Sequence, residues 1–287
     1  MFQDVLLTVD YDRTMTGPDS KVPQRNLDAI RYFMDNGGTF TMNTGRSTTT
    51  MGSLLETIPV NAPFLLYNGS AAWEKGKLSQ LRVIDVPLWE MVAAATKAFP
   101  EMNWEIQAVD NHYLIEPREE FTALYDKMKW GWAPAQFGAD YGPFLKMAAY
   151  GPVRRVGLSD MYALSPEDAE RFRELEAFLM ASWGDKIDIF RAAPRILDIQ
   201  AKGVSKGNAA LGLKKALGKK ILVCVGDAEN DLTMLDAADF AFCPGDAVIR
   251  ERYENVCICG EGAVADVIYE KIPEIIQNRL DIRENLC

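Results

Sequence analysis

Apolar runs alternate with amphipathic stretches along the first third of the chain. Residues 5–9 form a strongly apolar run of the kind that is buried on both faces of a parallel sheet. Residues 23–35 carry apolar side chains at helical spacing and are followed by Gly37-Gly38, which is typical of a helix end. The same reasoning predicts a strand at 39–42, a helix at 47–57 and a strand at 64–67.

The last third repeats this alternation. Its apolar pattern predicts, in order, helix 207–217, strand 221–225, helix 229–236, strands near 239–242 and 255–259, and helix 263–278. Strands that alternate with helices indicate a parallel sheet covered on both faces. The two outer thirds therefore predict one α/β domain, a doubly wound, Rossmann-like parallel-sheet core.

The middle third has a different pattern. Strands at 103–108 and 112–116 flank Asp110-Asn111, which indicates a hairpin. The other predicted elements are helices 119–129 and 166–182 and strands near 155–159, 187–191 and 195–200. Residues 128–152, rich in aromatics, glycine and proline, are interpreted as an irregular loop. We therefore predict a core of residues 1–84 plus 201–287 and an inserted α+β domain of residues 85–200.

Composition and charge argue against several classes of function. The 287 residues carry a formal net charge of −10, which disfavours a non-specific nucleic-acid binder. No apolar stretch is long enough to span a membrane, so no membrane association is expected. The start of the chain lacks the basic flank and cleavage site of a signal peptide, and we expect a cytoplasmic protein.

Cysteine and histidine usage excludes other chemistries. The five cysteines include no Cys-x-x-Cys pair, and His112 is the single histidine. A zinc site is therefore not expected, and the cysteines are interpreted as reduced, small apolar residues. One histidine also makes a Ser-His-Asp or Cys-His mechanism a poor hypothesis. Carboxylates remain as the candidates for chemistry.

Polar residues follow three predicted core strands, where ligands of open α/β sheets bind. The first strand ends in Asp10-Tyr11-Asp12-Arg13-Thr14, the second in Asn43-Thr44-Gly45-Arg46, and the strand at 221–225 in Gly226-Asp227-Ala228-Glu229-Asn230-Asp231. Lys206 stands at the start of the helix predicted at 207–217. The coincidence of these groups predicts one functional site more strongly than any single motif does.

Phosphoryl transfer would use each of these residue types. Asp10 is the candidate nucleophile, and Asp12 the candidate acid and base. Mg²⁺ accepts oxygen ligands and keeps several waters. The expected metal site therefore comprises Asp10, Asp12 through its backbone carbonyl, and Asp227, with Asp231 or Asn230 behind them. Thr44 and Lys206 would bind phosphoryl oxygens.

With these motifs in this order, the sequence resembles the haloacid dehalogenase superfamily. The matching residues are Asp10-x-Asp12-x-Thr14, Thr44, Lys206 and Gly226-Asp227-x-x-Asn230-Asp231. The segments Pro63–Gly69 and Val204–Gly207 resemble its Cof-type branch, which implies an inserted α+β cap of type C2B and a cap that closes over the substrate. The resemblance implies a phosphatase of a small phosphorylated metabolite such as a sugar phosphate, with Gly45 and Asn230 among the phosphate-binding residues. Arg13 stands where the family often has glycine; it either points away or adds a cation near the leaving group.

Several assignments stay open at this stage. Lys202 is a rival of Lys206, which we favour because it adjoins the predicted helix start. Trp130 and Trp132 either pack under the loop at 128–152 or stack on the substrate. His112 is interpreted as a strand or turn residue of the cap, and Arg46 as a solvated loop residue.

Two other functions compete with the phosphatase. A phosphosugar mutase would use similar core residues, and a non-catalytic sensor of phosphorylated metabolites would keep the fold without turnover. A dehalogenase is disfavoured because it has no evident use for Asp12 as an acid. The sequence identifies neither the substrate nor the oligomeric state, for which a monomer or homodimer is expected.

Overall fold

The computed structural model of the protein describes residues 1–152 and 165–284. Its strands are β1 (Val5–Val9), β2 (Thr39–Met42), β3 (Phe64–Leu66), β4 (Ala71–Glu74), β5 (Lys77–Ser79), β6 (Asn103–Ala108), β7 (His112–Ile115), β8 (Ala133–Pro134), β9 (Phe144–Tyr150), β10 (Ile187–Ala193), β11 (Ile196–Ala201), β12 (Ile221–Val225), β13 (Phe240–Pro244) and β14 (Glu254–Val256). Its α-helices are α1 (Gln24–Asp35), α2 (Thr48–Met51), α3 (Leu54–Thr57), α4 (Leu88–Ala98), α5 (Glu119–Met128), α6 (Pro166–Trp183), α7 (Lys206–Ala216), α8 (Leu232–Ala237), α9 (Ala263–Asp266) and α10 (Ile272–Glu284).

These residues form two compact units. The core unit consists of Met1–Thr44, Glu56–Leu65 and the described residues from Lys206 onward. The insert unit consists of Gly45–Leu55 and the described residues of Leu66–Ser205. Gly45, which directly follows Thr44, thus groups with the insert unit. The domain limits predicted from the sequence, at residues 84 and 200, stay a prediction.

A five-stranded parallel sheet organises the core unit, in the order β14-β13-β12-β1-β2. The two central strands, β1 and β12, are buried along their whole length, as expected when helices cover both faces of a sheet. Helix α1 packs against α9, and α7 packs against α8. The predicted α/β, Rossmann-like core is confirmed.

A six-stranded mixed sheet organises the insert unit, in the order β10-β11-β9-β6-β7-β8. One face of this sheet packs on α4 and α6 through an apolar cluster that includes Trp104, Met147 and Leu175. The other face is partly covered by α5, whose Phe121 and Leu124 pack on Leu114 and Ala148. The predicted hairpin at Asp110-Asn111 is confirmed, because β6 and β7 pair in antiparallel register.

Two predictions for the local structure are wrong, and two features of the insert unit were missed. Residues 144–150 are not irregular loop but strand β9, which lies between β11 and β6 in the centre of the sheet. The single helix predicted at 47–57 is divided into α2 and α3 by Gly52, whose φ of +50° ends the first helix. Helix α4 and the hairpin of β4 and β5 were not predicted.

The strand predicted near 155–159 and Cys287 lie outside the described residues. Cys224, Cys243, Cys257 and Cys259 are free thiols. Among the residues that the structure describes, no helix has both the length and the hydropathy needed to cross a membrane.

Candidate active site

The carboxyl ends of neighbouring parallel strands bring the predicted site residues of the core unit to one edge of its sheet. Val9 of β1 pairs with Met42 of β2 and with Val225 of β12. The backbone N–H of Asp10 donates to the carbonyl of Val225 at 3.0 Å, so the polar residues that follow β1 and β12 begin side by side. This register explains why Asp10 and Asp227 meet although 217 positions separate them in the chain.

Lys206 lies between two of the carboxylates. Its Nζ donates to Asp10 Oδ1 at 2.5 Å and to Asp231 Oδ1 at 2.6 Å. Only 1% of the Lys206 surface is exposed, and the backbone carbonyl of this lysine accepts a 2.9 Å hydrogen bond from Asn43 Nδ2. The helix start at Lys206 is thus anchored to the end of β2, with its ammonium group directed at the end of β1.

Burial and mutual repulsion control the ionisation of this cluster. Burial is the largest cause that raises the pKa of Asp10 to about 7; Lys206 opposes it, and Asp231 and Asp12 add to it. Burial also raises the pKa of Asp227, followed by repulsion from Asp231 and Asp10. For Lys206, burial alone would lower the pKa, but the carboxylates of Asp10 and Asp231 outweigh it and raise the pKa. The cluster therefore holds three carboxyl groups around one lysine, and without a further cation burial favours the neutral forms of Asp10 and Asp227.

Such a cluster suits a divalent cation. Asp10, Asp227 and Asp231 each offer a carboxylate oxygen within 4.8 Å of the others. Asp231 is already engaged, since its Oδ1 accepts from Lys206 and its Oδ2 accepts from the backbone N–H groups of Asp227 at 2.9 Å and Ala228 at 3.1 Å. These bonds make Asp231 an orienting group. Asp10 and Asp227 are the better placed to bind a metal with their carboxylate oxygens.

The remaining predicted residues of the core unit follow strands β2, β1 and β12 in the chain. Thr44 is buried, and its backbone N–H donates to the carbonyl of Leu65 at 2.9 Å. Asp12 and Asn230 are half-buried, in the turns at Tyr11–Met15 and Glu229–Asp231. Arg13 has a left-handed φ of 57°, and its Nη2 lies 3.8 Å from Asp246 Oδ2. The positive φ accounts for the glycine often found at this position in the resembling family.

The other residues weighed from the sequence lie in the insert unit. The carbonyl of Gly45 accepts a hydrogen bond from Lys146 Nζ, and His112 is buried at the start of β7. Trp130 packs edge-on against Tyr125, while Trp132 Nε1 donates to Asp126 Oδ1 at 3.0 Å. Cζ of Arg46 lies 6.0 Å from the centre of the Trp130 ring. Contact of either tryptophan with substrate stays a prediction.

The two candidate lysines have different surroundings. Lys202 is half-exposed and pairs with Asp188 at 2.7 Å in the insert unit. Lys206 is buried beside Asp10 in the core unit. Its position agrees with the preference for Lys206 based on the helix start.

Two residues that complete the site were not assigned a role from the sequence. Thr14 Oγ1 donates to Asp227 Oδ1 at 3.0 Å and so orients that carboxylate. Asn43 anchors the backbone of Lys206, as described above. The position of Asn43 at the end of a predicted strand was the available signal, but its partner, 163 residues away, depends on the tertiary fold.

Close packing of α7 on α8 sets the position of Lys206 and yields a prediction. A Cβ at Gly207 would lie 2.1 Å from the carbonyl oxygen of Thr233, a backbone atom that cannot rotate away. We expect Gly207→Ala to lower the free energy of unfolding by about 2–3 kcal/mol, as overpacking does. Gly212→Ala is the matched control in the same helix, because a Cβ there meets nothing within 4 Å. It should stabilise by about 0.5–1 kcal/mol. Equal effects in urea denaturation would contradict this account.

Comparison with known proteins identifies the family. The family model of the haloacid dehalogenase-like hydrolases matches residues 7–140 and 155–265. The chain therefore belongs to the haloacid dehalogenase-like hydrolases, in the Cof-type phosphatase branch that its motifs resemble. The predicted enzyme class, a phosphoric monoester hydrolase, is likewise confirmed.

Relatives of known name are distant but similar over most of their length. The HMP-PP phosphatase of Klebsiella pneumoniae is 22% identical over 87% of this chain and 87% of its own. The 5-amino-6-(5-phospho-D-ribitylamino)uracil phosphatase YcsE of Bacillus subtilis is 21% identical over 88% of both chains.

Solved structures show the same fold. A haloacid dehalogenase-like hydrolase from Bacteroides thetaiotaomicron superposes with a TM-score of 0.76 at 19% identity, over 95% of this chain and 100% of that one. The subclass IIB sugar phosphatase BT4131 gives a TM-score of 0.75 at 18% identity, over 92% and 97% of the two chains. At this level of identity, the similarity establishes the architecture, including the inserted α+β domain.

Proposed function

We propose that this protein is a Mg²⁺-dependent phosphohydrolase that acts on a small phosphorylated metabolite through a phospho-aspartyl intermediate on Asp10. The observation that carries the proposal is the buried cluster of Asp10, Asp227, Asp231 and Lys206 at the carboxyl edge of the core sheet. Such a concentration of buried carboxylates around one lysine is costly for folding alone. Its retention is understandable if the cluster binds a cation and a phosphate.

In the first step, a carboxylate oxygen of Asp10 attacks phosphorus. The new O–P bond forms as the bond from phosphorus to the leaving oxygen breaks, and Asp12 donates a proton to that oxygen. Lys206, with its ammonium group 2.5 Å from Asp10 Oδ1, compensates charge at the nucleophile and on the phosphoryl oxygens. Thr44, Gly45 and Asn230 are proposed to hold the phosphoryl group, and Arg13 to lie near the leaving group.

In the second step, water hydrolyses the acyl phosphate. Asp12, deprotonated by the first step, takes a proton from the water, whose oxygen bonds to phosphorus as the bond to Asp10 breaks. Inorganic phosphate leaves, and both aspartates return to their starting states. Asp231, fixed by Lys206 and two backbone N–H groups, keeps the lysine oriented throughout.

Mg²⁺ would be held by Asp10, the backbone carbonyl of Asp12 and Asp227, with Asp231 behind them. When bound, it supplies the positive charge that lets carboxylates and a phosphate dianion approach one another. Thr14, through its hydrogen bond to Asp227, restricts the rotation of that carboxylate.

A sugar phosphate is the substrate class we favour, because the structural neighbour BT4131 is named a sugar phosphatase. Other small phosphorylated metabolites are the alternative substrate class, because relatives of this chain are named HMP-PP phosphatases. Phosphosugar mutase is the alternative reaction, since the same phospho-aspartate could pass its phosphoryl group to a second hydroxyl. The cytoplasmic location and a monomeric or homodimeric state stay predictions.

A panel of sugar phosphates, nucleotides and cofactor phosphates tests this function. We expect release of inorganic phosphate that needs Mg²⁺ and stops on addition of EDTA. An isomeric phosphate without free phosphate would indicate a mutase. No turnover of any compound by the folded protein would contradict the proposal and favour the sensor.

Binding of Mg²⁺ should also stabilise the fold. At a hundredfold excess over its Kd, a ligand specific for the native state adds about 2.7 kcal/mol to the free energy of unfolding. We therefore expect Mg²⁺ to raise the Tm by roughly 5 °C relative to EDTA, measured by circular dichroism. Asp227→Asn should abolish this rise. Asp239→Asn is the control: Asp239 accepts from Leu222 N at the opposite end of the sheet, and its variant should keep the Mg²⁺ effect.

A further inference from the structure

The insert unit buries several polar groups on one face of its sheet. Side chains alternate along β6, so Trp104 and Ile106 join the apolar cluster while Glu105 and Gln107 point to the opposite face. The polar residues of this face are at most 5% exposed; they are Asn103, Glu105, Gln107, His112, Lys146, Asp198 and Gln200. Burying such groups is unfavourable unless they are paired, and their partners therefore indicate what the face does.

Lys146 is hydrogen-bonded to Gly45, the residue that follows Thr44. Its Nζ donates to the carbonyl of Gly45 at 2.8 Å and to Asp198 Oδ2 at 3.0 Å. Asp198 Oδ2 also accepts from Asn68 Nδ2 at 2.7 Å. Asn68 Oδ1 in turn lies 2.7 Å from the point where a Cβ at residue 45 would stand, so a side chain at this position would displace the Asn68 amide from its contact with Asp198.

His112 binds the same loop two residues further on. Its Nε2 lies 2.6 Å from Ser47 Oγ, and its Nδ1 pairs with Glu105, which also accepts from the Tyr150 hydroxyl at 2.8 Å. Burial would raise the pKa of Glu105, but His112 and Lys146 outweigh this effect and lower it to about 2. The Glu105 carboxylate thus stays ionised although it is buried.

The strand register places these two contacts side by side. Gln107 of β6 is paired with His112 of β7 on one side and with Lys146 of β9 on the other. The two side chains therefore flank one position of the sheet and reach Ser47 and Gly45, two residues apart. Thr44 immediately precedes this segment in the chain, and its backbone N–H donates to the carbonyl of Leu65 at 2.9 Å.

We propose that Lys146 and His112 are positioning residues for phosphoryl transfer. By fixing the backbone at 45–47, they set the orientation in which Thr44 is presented to the phosphoryl group. The inference rests on the proposed role of Thr44, since neither side chain is assigned a contact with substrate.

The test removes the anchor without leaving an unpaired buried charge. Lys146→Met combined with Asp198→Asn eliminates both charges of the pair together with the donor to Gly45. Asn103→Ala is the matched control, because Asn103 lies on the same face of β6 at 4% exposure but donates to the carbonyl of Gly151. Lys146→Arg keeps a cationic donor and serves as the conservative variant.

Two readouts separate positioning from general stability. In amide hydrogen exchange followed by mass spectrometry, the peptide spanning 44–51 should exchange roughly tenfold faster in the double variant than in native protein or Asn103→Ala. With the best substrate of the panel, kcat should fall about ten- to a hundredfold while KM changes little, as expected for misplaced catalytic geometry. Lys146→Arg should retain most of the native kcat. His112→Phe should lower kcat with little change in KM, as the double variant does.

The possible outcomes are distinguishable. A double variant with native kcat, or a loss no larger than that of Asn103→Ala, would overturn the positioning role. Unchanged exchange at 44–51 would overturn the anchoring itself, whatever the activity. If native protein releases no phosphate with Mg²⁺, the proposed function fails, and accelerated exchange would then establish only the anchoring contact.

Discussion

Asp10→Asn should abolish phosphate release while leaving the protein folded. The amide is a poor nucleophile, and loss of a covalent catalyst lowers kcat by on the order of 10⁴-fold or more. An amide oxygen can still accept the hydrogen bond from Lys206 Nζ, and the substitution removes one negative charge from a cluster in which burial already raises the pKa of Asp10 to about 7. We therefore expect a Tm within a few degrees of native in the absence of metal.

The matched control for this variant is Asp4→Asn. Asp4 immediately precedes the same strand, β1, at its opposite end, and pairs with Lys220 on the surface at 2.9 Å. Its removal should change phosphate release by less than twofold, since surface ion pairs contribute at most about 1 kcal/mol and Asp4 is remote from the cluster. Residual turnover by purified Asp10→Asn that matches Asp4→Asn would show that another group attacks phosphorus.

The second large effect is expected for Lys206→Met, which should impair both stability and activity. Lys206 is buried and pairs with Asp10 and Asp231, so its removal leaves buried carboxylates without their cation. Breaking a buried pair in this way costs about 3–5 kcal/mol. Loss of a cation that compensates transition-state charge should further lower kcat by roughly 10²–10³-fold. Urea denaturation and the phosphate assay measure the two effects separately.

Lys202→Met provides the comparison for Lys206→Met. Lys202 is half-exposed and pairs with Asp188, so we expect less than about 1 kcal/mol of destabilisation and near-native turnover. Adding Asp231→Asn to Lys206→Met should recover part of the stability, because one uncompensated carboxylate is removed, but none of the activity. A Lys206→Met protein as stable as Lys202→Met would contradict the charge balance described for the site.

The core elements and much of the candidate site could be predicted from local pattern. Apolar runs such as residues 5–9 indicate strands that are buried on both faces of a sheet. Polar residues directly after such runs indicate the edge of the sheet where ligands bind. The fold then brings Asp10, Lys206, Asp227 and Asp231 together, as expected for parallel strands with adjacent carboxyl ends. The assignment of their chemical roles remains a proposal.

The insert unit was predicted less completely, for reasons visible in particular residues. Strand β9 reads Phe-Leu-Lys-Met-Ala-Ala-Tyr, and Lys146 interrupts the continuous apolar run that would have marked a strand buried on both faces. Its lysine is tolerated because Asp198 and the carbonyl of Gly45, both distant in sequence, satisfy it. Likewise, the break between α2 and α3 depends on the backbone angle of Gly52, which sequence periodicity does not encode. Partners supplied by tertiary structure overrode local preference in these cases.

Direct detection of a phosphoryl group on Asp10 tests the central claim. Protein mixed with Mg²⁺ and its best substrate would be quenched in acid during turnover, digested and analysed by mass spectrometry. We predict one added phosphoryl group on the peptide that contains Asp10, in greater amount in Asp12→Asn with an activated phosphate ester, because the second step then lacks its base. The modification should be absent from Asp10→Asn. Phosphate release with no phosphorylated peptide, or with the group on a different residue, would contradict the account.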